Sequence, residues 1–390
     1  MSGVDLFSTL PDHVLQHVLS FLPSRNAVSS SALSRRWRHQ WRSSPALRVP
    51  GPDASTFINR FLLLRDGVSP LRTLEIDVGH CSNEYDDDDV DMWIRHGALT
   101  CQTLAFAASA EQPSEMLRLT RGPLAARHLT TLRLRSVRID GDFLDLSRCP
   151  ALLHLCLSKC LLDCKTIASS SLRRLSLADC SFVSSTKTST RIATPSLRWL
   201  HLEGPPRCLL ESMPSLTAAT VLLLWGKEAK DCGSRSMLLD ALSEATTLEL
   251  MASSSRGQAI LQRDLKWCPT FSKLKTLVLN DWCIYDDKSE LACLLWHSPV
   301  LEKLTFEFSK KPSYELKTKG SYDTVTSEQK TFERLETVEI KCQEVGRRVF
   351  KVLRVLSACG VPLAKISIQG SCSQSERFNF ACTSFSFIES

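Results

Sequence analysis

Leu152-Leu153-His154-Leu155-Cys156-Leu157-Ser158-Lys159-Cys160-Leu161-Leu162 decides the fold of this chain. Its Leu155-x-Leu157 centre alternates with period two, the pattern of a strand that sends every second side chain inward. A strand this short cannot bury its apolar side alone, so it needs neighbours built the same way. They are there. Leu129-x-x-Leu132-x-Leu134-x-x-Val137-x-Ile139 precedes it, and Leu172-x-x-Leu175-x-Leu177-x-x-Cys180-x-Phe182 follows. Looser copies start at Leu71, Cys101, Leu197, Ala219 (with Leu222 and Leu224), Ala245, Leu274, Leu301, Leu335 and Leu363, at intervals of 20 to 34 residues. The reading is an α/β solenoid, a curved parallel sheet whose other side is helical or irregular.

Prolines at 150, 195, 214 and 299 stand just before repeat leucines, where the chain enters a strand from a loop and no ladder N–H is lost. The longer arms hold short apolar helices, as in Met237–Leu242 and Glu290–Leu295. Asn83–Asp89 reads as a solvated acidic loop, and Ser184–Thr190 and Ser309–Gln329 as hydrophilic arms. The repeats are expected over 69–330. A strand around Val338 and Ile340, an amphipathic helix over 348–356 and a returning strand at Ile366 and Ile368 form a closing unit over 331–370, and 371–390 is a tail. Arg133 and Arg173 stand at x positions between repeat leucines, which places them outward as candidate target contacts.

Sixteen cysteines fit the same scheme. Met1–Asp5 lacks the basic and apolar segments of a secretory signal, and no apolar run approaches a membrane span. The thiols are therefore expected to stay reduced, with no disulfide framework, and to serve as small buried hydrophobes. Cys156, Cys160 and Cys164 make a C-x3-C-x3-C pattern, but the repeat already accounts for Cys160 and no fourth zinc ligand is evident. A net charge of +6 is too diffuse for nucleic acid. The expected location is cytoplasmic and/or nuclear.

Ahead of the repeats lies a different pattern. Thr9–Pro23 reads as one helix, with Thr9 as cap, Pro11 in the first turn and Val14, Leu15, Val18, Leu19 and Leu22 on one face. Ser24 can cap a second helix, Ala27–Leu33, and Ser34 begins a third through Trp37 and Trp41. Forty residues are near the lower limit for independent folding, so a partner surface is expected.

These residues carry a resemblance. Leu10-Pro11-x-x-x-Leu15, then Val18–Pro23, then Ala32-Leu33-Ser34-Arg35-Arg36-Trp37-Arg38 is similar to an F-box over residues 5–45, with 46–68 left as a linker or solenoid cap. Ser29-Ser30-Ser31 departs from the bulkier residues of many relatives. The irregular, cysteine-bearing repeats resemble those of plant F-box/leucine-rich-repeat proteins, and 331–370 resembles their FBD region. The resemblance implies that Leu10, Pro11, Leu15, Val18, Leu19, Leu22 and Trp37 divide between the module's core and a face for the adaptor subunit of SCF ubiquitin ligases. Through that adaptor it implies cullin and RING partners, with the repeats holding a target protein.

No G-x-S-x-G, G-x-x-x-x-G-K-[ST], G-x-G-x-x-G or H-E-x-x-H occurs. His13 and His17 lie four apart on one helix, but Val14 stands where a metalloprotease needs glutamate. No catalytic, cofactor or metal residues are expected, and no membrane partner. The expected function is substrate recognition within a cullin-RING ligase by a non-catalytic chain. The alternative is a leucine-rich-repeat scaffold unconnected to ubiquitin.

Overall fold

Alternation of leucine with polar residues produces strand after strand, and they pair in parallel. A computed structural model describes residues 10–52, 55–80, 86–110, 112–120, 122–183, 189–204, 208–223, 238–284, 290–308, 332 and 334–370. They fall into two compact units, one mainly up to Leu172 and one mainly from Arg173 onward.

In the first unit, α1 (Asp12–Leu19) and α2 (Ser24–Ser29) precede β1 (Ala46–Pro50), β2 (Thr73–His80), β3 (Thr103–Ser109), β4 (Thr131–Arg135) and β5 (His154–Ser158), which pair in chain order. The register stacks Leu74, Leu104, Leu132 and Leu155 across neighbouring strands, and Ile76, Phe106, Leu134 and Leu157 beside them. All eight are buried. Each contributes about 1.5–3 kcal/mol of hydrophobic stabilisation, which the repeat spacing delivers at every turn. A second parallel ladder of short strands, from Leu117–Leu119 to Ser181–Phe182, closes the same core.

Segment 46–68, read from sequence as linker or cap, contains β1 and α3 (Ser55–Leu64). The acidic loop is corrected in its second half. Asp86 accepts the Asp88 N–H at 3.2 Å and caps α4 (Asp87–Thr100), with Asp87, Asp88 and Asp89 in its first turn. Three carboxylates there meet the positive end of the helix dipole, so a run that looks merely solvated is a helix start. Residues 81–85 lie outside the described residues. Trp93 of α4 is fully buried and donates to Asn59 Oδ1 of α3 at 2.7 Å.

In the second unit, β6 (Arg174–Ala178), β7 (Trp199–Glu203), β8 (Ala218–Leu223), β9 (Thr247–Ala252), β10 (Thr276–Leu279), β11 (Lys303–Glu307), β12 (Thr337–Cys342) and β13 (Ile366–Gly370) again pair in chain order. Leu200, Ala219, Leu248, Leu277, Leu304, Val338 and Ile366 share one register line. That line corrects the repeat assigned to Ala219, Leu222 and Leu224. Ala219 and Val221 point inward after a buried Leu216, Leu222 is half-exposed on the other face, and Leu224 lies outside the described residues. Four helices, α5 (Leu238–Ala241), α6 (Ser255–Leu265), α7 (Glu290–Trp296) and α8 (Arg347–Ala358), alternate with these strands. β13 is the last described strand, with Ile368 and Leu363 exposed. No helix among the described residues is long and apolar enough to cross a membrane. The arms at 184–188 and 309–329, the cap Thr9 and the tail lie outside them.

The strand corners are built alike. Ser136, Lys159 and Asp179 each follow a strand directly and each adopts a left-handed backbone, with φ of 53°, 51° and 54°. Gly204 takes the same place after β7 with φ of 108°. This conformation turns the chain away from the sheet, at a cost to any residue with a Cβ.

Gly257, in the first turn of α6, answers a close approach. A Cβ there would lie 2.7 Å from Leu223 Cβ and 2.8 Å from the Leu223 carbonyl oxygen. In an open helix Gly→Ala gains about 1 kcal/mol. Here Gly257→Ala is expected to destabilise by about 1–3 kcal/mol, because backbone must move. Thermal unfolding checks the sign.

Candidate functional site

The N-terminal module folds around few residues. Leu15 and Leu19 of α1, Ala27 of α2 and Trp41 are buried. Trp41 packs on Phe61 of α3 with ring centroids 5.2 Å apart. Pro11 precedes α1 with an extended backbone, and its carbonyl accepts the Val14 and Leu15 N–H groups at 3.0 and 3.3 Å. α2 begins at Ser24, earlier than expected, and a single 3-10 turn (Ser30–Ala32) follows it. The third segment is a 3-10 helix, Trp37–Ser43. Arg36 latches it to the first by donating to Asp12 Oδ1 at 3.1 Å and to the Leu10 carbonyl, and Gln16 bonds Gln40 at 3.1 Å. Hydrogen bonds from Arg36 and Gln40 hold the Asp12 carboxyl below its ordinary value. The Arg36–Asp12 part of the latch is therefore complete at neutral pH and is lost as the pH falls through the lowered Asp12 pKa.

Among the described residues, large apolar side chains of this module are exposed. Val18 is 37% exposed, Leu22 38%, Phe21 65% and Leu33 71%. Val18, Phe21 and Leu22 are spaced i, i+3, i+4, hence on one side of α1 and the turn that continues it. Of the seven residues singled out from sequence, Leu15 and Leu19 belong to the core, Leu10 and Trp37 are half-buried, and Pro11, Val18 and Leu22 are exposed. Phe21 and Leu33 were missed, although their size within a module this small was a usable signal.

The module is tied directly to the sheet. Arg48 of β1 gives its backbone N–H to Ser24 Oγ at 2.8 Å and its Nε–H to the Ser20 carbonyl at 2.8 Å, and it ion-pairs with Glu75 of β2. One side chain grips the end of α1 and two strands together.

The outward sheet faces carry the other candidates. Arg133 is exposed on β4 as expected, beside Arg135. Arg173 is exposed but precedes β6, where its carbonyl accepts the Arg198 and Trp199 N–H groups. The repeat pattern makes Ser176, which is buried, the counterpart of Arg133, so the two arginines are not equivalent. In the second unit, Trp199 stacks on His201 with planes 4° apart and centroids at 5.8 Å. His201 Nε2 lies 3.7 Å from Glu203, yet burial lowers its pKa and keeps the ring neutral at pH 7. Lys303–Glu339 at 2.6 Å and Lys341–Glu307 at 3.0 Å continue a polar strip across β11 and β12. Trp199 and His201 are not among the sequence-predicted site residues, although two rings spaced i, i+2 on one strand were a usable sign.

The corner cysteines have their own role. Cys160 Sγ donates to the Leu134 carbonyl at 3.5 Å, and Cys180 Sγ to the Leu157 carbonyl at 3.4 Å. Each thus caps the strand of the preceding repeat. Cys156 is disulfide-bonded, against the expectation of reduced thiols, while the other described cysteines are free. Cys156, Cys160 and Cys164 form no ligand cluster. Among the described residues the one group of potential metal ligands is Cys268, Cys293 and His297. Cys268 hydrogen-bonds Cys293 and, with His297, brings the Cys293 thiol down to about 6, while Cys268 is pushed up. Burial pushes Cys208 to about 12. Among the described cysteines, alkylation of the native, reduced protein is therefore expected to reach Cys293 first and to spare the buried Cys160, Cys180 and Cys208 until denaturation, as peptide mass mapping would record.

Comparison with known proteins completes the description. Residues 7–48 match the F-box domain, and residues 101–350 match the family described as At1g61320/AtMIF1, LRR domain. The F-box/FBD/LRR-repeat protein At5g56420 of Arabidopsis thaliana is 27% identical over 355 residues, covering 77% of this chain and 82% of the relative. The F-box/LRR-repeat protein At3g26922 of the same plant is 30% identical over 263 residues, covering 56% and 82%. The F-box/FBD/LRR-repeat protein At5g22660, also from Arabidopsis thaliana, is 42% identical over 99 residues, covering 24% and 20%.

Proposed function

The chain belongs to the plant F-box/leucine-rich-repeat proteins, and from that premise we propose that it is the substrate-receptor subunit of an SCF-type cullin-RING ubiquitin ligase. The observation that carries this is the exposure of Val18, Phe21, Leu22 and Leu33 on a small module in which Leu15, Leu19, Ala27 and Trp41 are buried. Apolar surface of this kind on a small module marks a protein interface. Its proposed partner is the ligase adaptor, and through it the cullin and RING subunits. Arg133 in the first unit, and separately Arg173 and Trp199 in the second, are the proposed target contacts, and the compartment is cytoplasmic and/or nuclear. In this role the chain performs no covalent chemistry. It holds a target beside the charged conjugating enzyme and raises the effective concentration of the target's lysines.

The test is purification of the tagged full chain from plant cells with the proteasome blocked. Adaptor, cullin and a ubiquitinated protein should copurify. Recovery of a partner protein without adaptor would establish the scaffold reading instead.

A further inference from the structure

Cys268 follows α6, while Cys293 lies on α7 and His297 just beyond its end. Their ligand atoms all lie within 4.8 Å of one another. We propose that Cys268, Cys293 and His297 form a zinc-binding site, with two thiolates and one imidazole as ligands and the fourth position open to solvent. This goes beyond the receptor reading and does not depend on it.

Geometry carries the proposal. Zinc takes sulfur at about 2.3 Å and nitrogen at about 2.0–2.1 Å, so the edges of its tetrahedron are roughly 3.5–3.8 Å. Cys293 Sγ and His297 Nδ1 already stand 3.8 Å apart. The i, i+4 spacing on one helix fixes that edge, and Cys268 enters from the preceding repeat. The backbone that brings the two parts together is set without any ion, because the Phe271 N–H donates to the His297 carbonyl at 2.8 Å.

Towards the backbone the two sulfurs are only weakly engaged, while the imidazole makes one ordinary hydrogen bond. Cys293 Sγ reaches the Leu265 carbonyl at 3.8 Å, Cys268 Sγ reaches the Pro269 carbonyl at 3.6 Å, and His297 Nδ1 bonds the Cys293 carbonyl at 2.8 Å. Binding exchanges these contacts for coordinate bonds. The neutral imidazole changes tautomer, its proton passing from Nδ1 to Nε2 by way of solvent so that Nδ1 becomes the nitrogen ligand, and each thiol releases its proton to solvent. No oxidant or reductant is required. All three residues are half-buried, so an ion can enter and a water can complete the tetrahedron. Two soft thiolates with one imidazole favour zinc over calcium or magnesium, which take oxygen donors. The site pins α6 to α7 across consecutive repeats. It was not legible in sequence, because the two cysteines stand 25 positions apart with no C-x-x-C between them.

The experiment uses the full chain, reduced with a phosphine and stripped by a chelator. Cobalt(II) is added as the spectroscopic probe and zinc as the competitor. The expected result is one equivalent of tightly held metal, with the thiolate-to-cobalt charge-transfer band and the intense visible bands of a tetrahedral ion. Zinc should abolish these bands and raise the unfolding temperature. It should also slow maleimide labelling of Cys268 and Cys293 by at least about tenfold while leaving Cys359 unchanged. Cys268→Ser and His297→Gln should each weaken binding by about 10- to 100-fold or more, and Cys359→Ser should not. Absence of the cobalt bands in the wild-type chain, protection at other cysteines, or zinc retention unchanged in Cys268→Ser would overturn the proposal. A Cys268–Cys293 disulfide forming on mild oxidation, with no metal bound by the reduced form, would overturn it in favour of a redox pair. The wild-type labelling map decides the matter even if a variant fails to fold.

Discussion

Phe21→Ala with Leu33→Ala is expected to abolish capture of the adaptor while leaving the unfolding temperature of the chain unchanged. Both side chains are among the most exposed large apolar groups of the described residues, so truncating them opens no cavity. At an interface, buried anchors of this kind cost about 2 kcal/mol or more each when removed. Two together amount to roughly a thousandfold in affinity. Leu15→Ala provides the contrast. Leu15 is fully buried, so its loss should cost about 2–5 kcal/mol of stability and weaken adaptor binding only through unfolding of the module. Pull-down and thermal unfolding, measured on the same preparations, separate the two. Undiminished adaptor capture by the double variant would sink the assignment of this face.

The second large effect lies in the solenoid. Leu155 is 1% exposed and sits in register with Leu132 of the neighbouring strand, whereas Arg133 faces outward. Leu155→Asp buries an uncompensated carboxylate at an expected cost of several kcal/mol, against a total stability of about 5–15 kcal/mol. Arg133→Asp should shift stability by no more than about 0.5 kcal/mol. Coupling in a repeat array runs between neighbours, so damage at Leu155 should spread locally and leave the N-terminal module able to bind. Equal losses in the two variants would show that the inside and outside of β4 and β5 are reversed.

Much of this was readable because a strand with period two admits only two registers, and leucine on one face chooses between them. The reading failed where that contrast fades. Leu222 and Leu224 looked more like repeat leucines than Ala219 and Val221, yet the register line runs through the smaller pair. The left-handed corners at Ser136, Lys159 and Asp179 were invisible because no glycine marks them. In the N-terminal module, Leu15, Val18, Leu19 and Leu22 form one apolar stripe in sequence. In the fold Leu15 and Leu19 go inside with Ala27 and Trp41, while Val18 and Leu22 stay exposed, a division the stripe itself does not mark. The Cys268–Cys293–His297 group depends on which residues lie opposite one another in neighbouring repeats, and spacing along the chain does not encode that.

In the proposed receptor role, Arg48 has a consequence for target selection. Because it joins the end of α1 and the start of α2 to β1 and β2 through three separate bonds, no free linker separates the module from the first strands. A flexible tether averages over positions and lets almost any surface lysine meet the ubiquitin donor in turn. A welded joint does not average. With the module docked, whatever rests on those first strands is held at one distance and one angle, and the chain then acts as a gauge. Two proteins bound equally well there would differ in fate according to where their lysines lie.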